Sequence, residues 1–132
     1  MTLDEQPVHA DGSASEAAHD GVGFELVQVS RAMVRIYKEQ FGRGPERVRS
    51  HYAGPDSIVS FLNGTLTPVE RTLTTIDEHQ RLREMRMLFQ YAAEDEFRRS
   101  VEEITGRKVT AFLSGFDTRA DVAAEVFTLG AA

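Results

Sequence analysis

The chain has no cysteine and no tryptophan among its 132 residues. Without cysteine it has no disulfide framework, no zinc site of the usual thiolate kind and no thiol nucleophile. No apolar run approaches the roughly 18–20 residues that a membrane span needs, so we expect no direct membrane insertion. The remaining composition, 41% hydrophobic and 27% charged, is typical of one globular domain.

Basic residues are missing from the first 23 positions. This segment carries five acidic residues, Asp4, Glu5, Asp11, Glu16 and Asp20. They account for most of the net charge of −6, and the rest of the chain holds 16 acidic and 15 basic residues. The segment is rich in Ala, Gly and Ser and has no apolar period, so we predict a disordered acidic tail over residues 1–23. A single α+β domain is expected over residues 24–132.

The charge pattern and the N-terminal composition also bear on partners and location. Acidic and basic residues are interspersed through the predicted domain, so no continuous basic surface is expected. This argues against nucleic acid as a partner. The tail lacks the basic start and the apolar stretch of a secretory signal, so we expect a cytoplasmic protein.

The remaining chain predicts the element order α-β-β-α-β-β. Apolar residues at helical spacing predict a first helix over residues 24–41. These apolar residues are Leu26, Val29, Met33 and Ile36. Side chains that alternate between two strand faces predict two hairpins. They are formed by residues 47–52 with 58–62 and by residues 109–116 with 122–129. This order predicts a four-stranded antiparallel or mixed sheet with the helices on one face.

Helical composition runs from Pro68 to Thr105, and Thr67-Pro68-Val69-Glu70 predicts a capping box at its start. Unbroken, such a helix would be about 57 Å long, whereas a domain of this size has a radius of gyration of about 14 Å. We therefore expect a break or strong bend near Glu78–Arg81, or packing of part of the helix on another subunit. A homodimer is the expected assembly.

Within this helical stretch two apolar faces are distinguishable. The residues Leu82, Met85, Phe89 and Ala92 form the predicted core stripe. Met87 and Tyr91 are spaced i, i+4 on a different face, and we predict that they form a partner surface.

The turn Gly42-Arg43-Gly44-Pro45 contains the most interesting polar position. Flanking glycines allow a close approach of a ligand, and an arginine there can bind a carboxylate, phosphate or bicarbonate. The alternative is a helix C-cap with Arg43 solvated or bound to the last helical carbonyls. Arg47 and Arg49 on the next strand would extend an anion site, but they equally suit a strand whose charges discourage edge pairing.

Catalytic motifs are missing from the sequence. It contains neither Gly-x-Ser-x-Gly nor His-Glu-x-x-His, and two of its four histidines, His9 and His19, lie in the predicted tail. We therefore predict no catalytic residues, no metal site and no cofactor.

Three blocks of sequence carry a family resemblance: residues 41–45 (FGRGP), residues 62–73 (LNGTLTPVERTL) and residues 105–114 (TGRKVTAFLS), which continues to EVF at 125–127. From about residue 24 to residue 129 the chain resembles a small bacterial family, the MpsC-like family, typified by the MpsC component of the sodium-translocating membrane-potential-generating system. The resemblance implies a link to sodium or inorganic-carbon (bicarbonate) uptake and a soluble accessory role beside a membrane transport subunit. It supplies no catalytic residues. The alternative is a small-anion-binding, small-ligand-binding or catalytic domain that uses the Arg43 turn.

Overall fold

The computed structural model describes residues 16–131 of the chain. Its elements are α1 (Glu16–Phe41), β1 (Arg47–Tyr52), β2 (Ser57–Asn63), α2 (Pro68–Thr75), α3 (His79–Ala92), α4 (Glu94–Thr105), β3 (Val109–Asp117) and β4 (Val122–Leu129). The predicted α+β class is confirmed, with the long helical stretch divided into three helices. Across residues 16–131, no helix combines the length and the apolar content that crossing a membrane requires.

Helix α1 packs on the sheet through the predicted face. All four residues of the predicted stripe are buried: Leu26, Val29, Met33 and Ile36. The helix begins at Glu16, however, and not at the predicted Phe24. Apolar periodicity indicates only the part of a helix that contacts the core. Ala17 and Ala18 favour an earlier start of the helix because alanine is the strongest helix former. Residues 1–15 of the predicted tail lie outside the described residues.

The sheet has the strand order β1-β2-β4-β3, and every neighbouring pair is antiparallel. Helix α1 contacts β1 and β2, while α3 and α4 contact β3, and α2 packs beside α3. Along β2 and β4, buried residues alternate strictly with half-buried ones. The helices therefore cover one face of the sheet, as predicted, and the side chains of the other face remain partly exposed.

The expected break in the helical stretch is confirmed. Helix α2 ends at Thr75 and α3 begins at His79, and Asp77 between them has a left-handed backbone with φ of 62°. A second boundary at Ala93 was not predicted from the sequence. There α4 starts with three acidic residues in its first turn, which favour a helix N-terminus because of the helix dipole.

The loop between β2 and α2, residues 63–67, is tied to the turn between β3 and β4. The carboxylate of Asp121 accepts hydrogen bonds from the Thr65 amide (2.8 Å), the Thr65 hydroxyl (3.2 Å) and the Leu66 amide (3.2 Å). The backbone carbonyl of Asp121 also accepts a bond from the Gly64 amide at 3.0 Å. One acidic residue therefore satisfies the donors of a largely buried loop.

We expect Asp121→Ala to lower the free energy of unfolding by about 3 kcal/mol, since it leaves buried amides without acceptors. Urea denaturation followed by circular dichroism measures this change. Glu103→Ala, an exposed position on α4, is the matched control and should change stability by less than about 0.5 kcal/mol. Equal effects of the two substitutions would contradict the role of Asp121.

Candidate functional site

A row of polar side chains crosses the helix-covered face of the sheet. Ser50, Ser60, Glu125 and Ser114 are register partners on β1, β2, β4 and β3, in that order. Ser50, Ser60 and Glu125 are almost completely buried. Since an inner sheet face is normally apolar, this row requires polar partners from the helices above it.

Helix α1 supplies two of these partners. The hydroxyl of Ser30 lies 2.8 Å from that of Ser50, which in turn lies 2.7 Å from that of Ser60. The Tyr37 hydroxyl donates to Glu125 Oε2 at 2.5 Å. Burial, and after it the neighbouring Glu125, raise the pKa of Tyr37 well above its usual value, so this hydroxyl remains a donor.

Helix α3 supplies the other partners. The amide Nε2 of Gln90 donates to Glu125 Oε2 at 2.8 Å and to the Tyr37 hydroxyl at 3.1 Å. One turn earlier, Arg86 is 1% exposed and lies between the rings of Phe41 and Phe116, at 4.0 and 4.6 Å from their centroids. The helix thus places a cation and an amide side by side in the core.

Arg86 forms a two-point ion pair with Glu70 of α2. Its Nε and Nη2 donate to Oε2 and Oε1 of Glu70, both at 2.7 Å, and Nη2 also donates to the Thr65 carbonyl at 2.9 Å. Glu70 closes the predicted capping box as well, because its Oε1 accepts the Thr67 amide at 2.9 Å. Burial raises the pKa of Glu70, but the hydrogen bonds from Arg86 and Thr67 outweigh it and hold the pKa below its usual value.

We call these residues the buried polar cluster: Ser30, Tyr37, Ser50, Ser60, Glu70, Arg86, Gln90, Ser114 and Glu125. Glu125 is the carboxyl group of the cluster whose pKa is raised. Burial raises its pKa from 4.5 to about 7, although the hydrogen bonds from Tyr37 and Gln90 and the charge of Arg86 act in the opposite direction. Its Oε1 and the Oγ of Ser114 directly across the sheet are buried without a hydrogen-bond partner, as is Nη1 of Arg86. Protonation at Oε1 would convert an unpaired acceptor into a donor, which is consistent with a neutral carboxyl near pH 7.

The residues of the predicted anion site have other neighbours. Gly42 is left-handed with φ of 80°, and Arg43 Nη1 donates to the carbonyls of Gly64 (3.1 Å) and Leu66 (2.7 Å). Arg43 Nη2 also lies 3.6 Å from Glu46. The guanidinium therefore bonds to the same loop that Asp121 and Arg86 hold, rather than to the last carbonyls of α1.

The other residues of the predicted anion site have different neighbours from Arg43. Gly44 packs against Val34, with 3.3 Å between a Cβ placed there and the Val34 side chain. Arg47 is exposed on the uncovered face of the sheet, and Arg49 stacks over the Phe61 ring at 5.1 Å from its centroid. Anion binding at these residues stays a prediction. No group of three or more His, Asp or Glu side chains suited to a metal ion occurs in residues 16–131.

Only one of the two residues of the predicted partner surface, Tyr91, is exposed on α3, and its role in partner binding stays a prediction. Tyr91 is 69% exposed and Leu88, one turn before it, is 70% exposed, while Met87 beside them is half-buried. We call these three residues the α3 surface. The predicted core stripe of this helix is right at Leu82, which is buried, and wrong at Phe89 and Ala92, which are exposed. Arg86 and Gln90 occupy the buried face in their place.

Apart from the capping role of Glu70, sequence patterns did not indicate the buried polar cluster, because charged residues are rarely placed in a core by pattern alone. One signal was available. Leu82, Arg86, Gln90 and Ala93 share the 4-4-3 spacing of a helix face, and two buried apolar residues bracket the polar ones.

Arg86→Met should lower the free energy of unfolding by about 3–5 kcal/mol, because it leaves the Glu70 carboxylate buried without its cation. Chemical denaturation measures this loss. Arg83→Met, an exposed arginine on the same helix, should be nearly neutral. An Arg86 variant as stable as the Arg83 variant would show that the ion pair does not hold the helices.

For Glu125 we expect a stability that falls as the pH rises. The folded state keeps the proton up to about pH 7, whereas the unfolded chain loses it near 4.5, so between these values a higher pH favours unfolding. Glu125→Gln should remove this dependence and exceed the wild type in stability above pH 7, by up to about 3 kcal/mol. Denaturation at a series of pH values measures the difference, with Glu103→Gln, an exposed position, as the control. Parallel pH profiles for wild type and Glu125→Gln would contradict the raised pKa.

Comparison with known proteins extends the resemblance noted in the sequence. A family model described as Na+-translocating membrane potential-generating system (MpsC) matches residues 26–131. No curated protein and no solved structure matches the chain. The matched range contains the sheet, α2 to α4 and every residue of the buried polar cluster. The chain therefore belongs to the MpsC family, whose description names a sodium-translocating system that generates membrane potential.

Proposed function

We propose that this protein is a non-catalytic accessory component of a sodium-translocating, membrane-potential-generating system. In this role it binds a membrane-embedded subunit from the cytoplasmic side. The family match over residues 26–131 is the observation that carries the proposal. The description of the family names sodium and not inorganic carbon, so the proposal is confined to sodium.

The α3 surface is the proposed contact with the membrane subunit. The outward face of a surface helix is normally polar, but Leu88 and Tyr91 lie one turn apart with most of their side chains in solvent. Removing tyrosine and leucine side chains from water costs little free energy, and tyrosine is enriched at protein interfaces. An apolar site on a helix that the core holds rigidly suits a stable docking contact.

The burial of the polar cluster supports a binding role over a catalytic one. Arg86 and Glu125 are 1% and 0% exposed, so a substrate has no direct access to the group with the most strongly shifted carboxyl pKa. Arg43 donates to two loop carbonyls, which favours a structural role for it over anion binding.

The test uses the tagged full-length protein expressed in its own cells, in place of the chromosomal copy. We expect it to co-purify from detergent-solubilised membranes with one multi-span membrane protein, identified by mass spectrometry, in near-equimolar amount. Cells that carry Leu88→Glu/Tyr91→Glu should lose both this co-purification and the sodium-dependent part of the membrane potential, because two charges then face an apolar partner.

Phe24→Glu/Val69→Glu is the matched control, since Phe24 and Val69 are 64% and 73% exposed on α1 and α2. This variant should retain both properties. Recovery of the wild-type protein only in a free form would overturn the proposal. So would an unchanged sodium-dependent potential in cells that lack the protein.

A further inference from the structure

The uncovered face of the sheet is apolar at its centre. On the two central strands, Val59 and Phe61 of β2 lie beside Val126 and Ala124 of β4 in register. All four are half-buried, although the helices cover only the other face. Leu113 on β3 continues this surface and is 61% exposed. We call these five residues the open sheet face.

The outer side chains of a one-sided antiparallel sheet are normally polar. Here both faces of the central strands are apolar: Ile58, Leu62 and Phe127 point toward the helices, and Val59, Phe61 and Val126 point away from them. A contiguous apolar surface of this kind is typical of a protein interface.

The two edges of this face carry opposite charges. The register joins Arg47 of β1, Asn63, Val122 and Asp117 of β3 in one row across the sheet. Arg47 is exposed at one end of the row, and Asp117 is exposed at the other end. The amides of Ala120 and Arg119 donate to Asp117 Oδ1, at 2.8 and 3.0 Å, and fix the carboxylate in place. The Ala120 bond, followed by that of Arg119, lowers the pKa of Asp117, so the carboxylate is charged.

We propose that a second copy of the chain packs on the open sheet face, related by a twofold axis that runs parallel to the strands between β2 and β4. Such an axis places β1 of one copy over β3 of the other. Each register row of one copy then lies over the same row of the second copy. Arg47 then meets Asp117 of the second copy, and the same pair forms a second time by symmetry.

Side-chain sizes fit the same arrangement. In the next row Phe61 lies over Ala124 of the second copy, and Arg49 lies over Gly115 of the second copy, so a large residue meets a small one each time. In the following row Val59 meets Val126 of the second copy. Packed sheets are separated by about 10 Å and interdigitate in this way. The α3 surface takes no part, so this proposal stands or falls independently of the proposed function.

A charge exchange tests the proposed dimer. In sedimentation experiments on the full-length protein we expect a wild-type dimer. Arg47→Asp and Asp117→Arg should each raise the dissociation constant about tenfold or more, because each creates two like-charge contacts. The double variant Arg47→Asp/Asp117→Arg should return to within about threefold of the wild type, because it rebuilds both pairs with reversed sign. The exposed control Arg31→Asp on α1 should leave the dissociation constant unchanged.

The absence of natural cysteines permits a check of the geometry. A mixture of Arg47→Cys and Asp117→Cys chains should be joined by a short bismaleimide, whereas Arg47→Cys alone should not. Leu113→Lys should weaken the dimer without a change in circular dichroism, because the register places it over His51, next to Arg49, of the second copy. A monomeric wild type at the highest soluble concentration would overturn the proposal, as would a dimer that neither charge substitution nor Leu113→Lys affects. Capture of a different protein on this face by the monomer would also overturn it.

Discussion

The buried ion pair between Arg86 and Glu70 is the constraint on which the arrangement of helices depends. Removing two charges from water is costly, and the cost is offset only when the geometry satisfies most donors and acceptors. Two parallel bonds of 2.7 Å and a third bond to the Thr65 carbonyl meet this requirement. The rings of Phe41 and Phe116 lie against the guanidinium and shield it from solvent. Helix α3 is thereby attached to α2, to the preceding loop, to α1 and to β3 through one side chain.

The ion pair also explains why the helical stretch is broken. Arg86 and Glu70 are 16 residues apart, which corresponds to about 24 Å along a continuous helix. They meet only because the chain turns back between Thr75 and His79, with Asp77 in the left-handed region. Size alone led to the expectation of a break, but the ion pair determines how the two helices must be placed after it.

Patterns of local spacing predicted much of the fold and little of the site. Periodicity located α1 and the two hairpins, and the Thr67–Glu70 capping box was predicted correctly because all its atoms lie within four residues. The buried roles of Arg86 and Glu125 depend on partners that are distant in sequence, such as Tyr37, which is 88 residues from Glu125. Residue type was misleading as well, since it placed Phe89 in the core, whereas Arg86 is the buried residue there and Phe89 is 40% exposed. The partners of Arg43 are backbone carbonyls, which leave no trace in composition or spacing.

Each face of the sheet needs partners that match the polarity of its side chains. Ser50, Ser60 and Glu125 are tolerated on the inner face because Ser30, Tyr37 and Gln90 reach them from the helices. The apolar side chains on the outer face have no such cover from residues 16–131 of their own chain. A second sheet would supply it, and the result would be a four-layer α/β/β/α dimer. Since all helices of a copy lie on the far side of its sheet, the two α3 surfaces would then lie on the outer layers. The dimer would therefore leave both docking sites free, so self-association and binding of a membrane partner would not compete for the same residues.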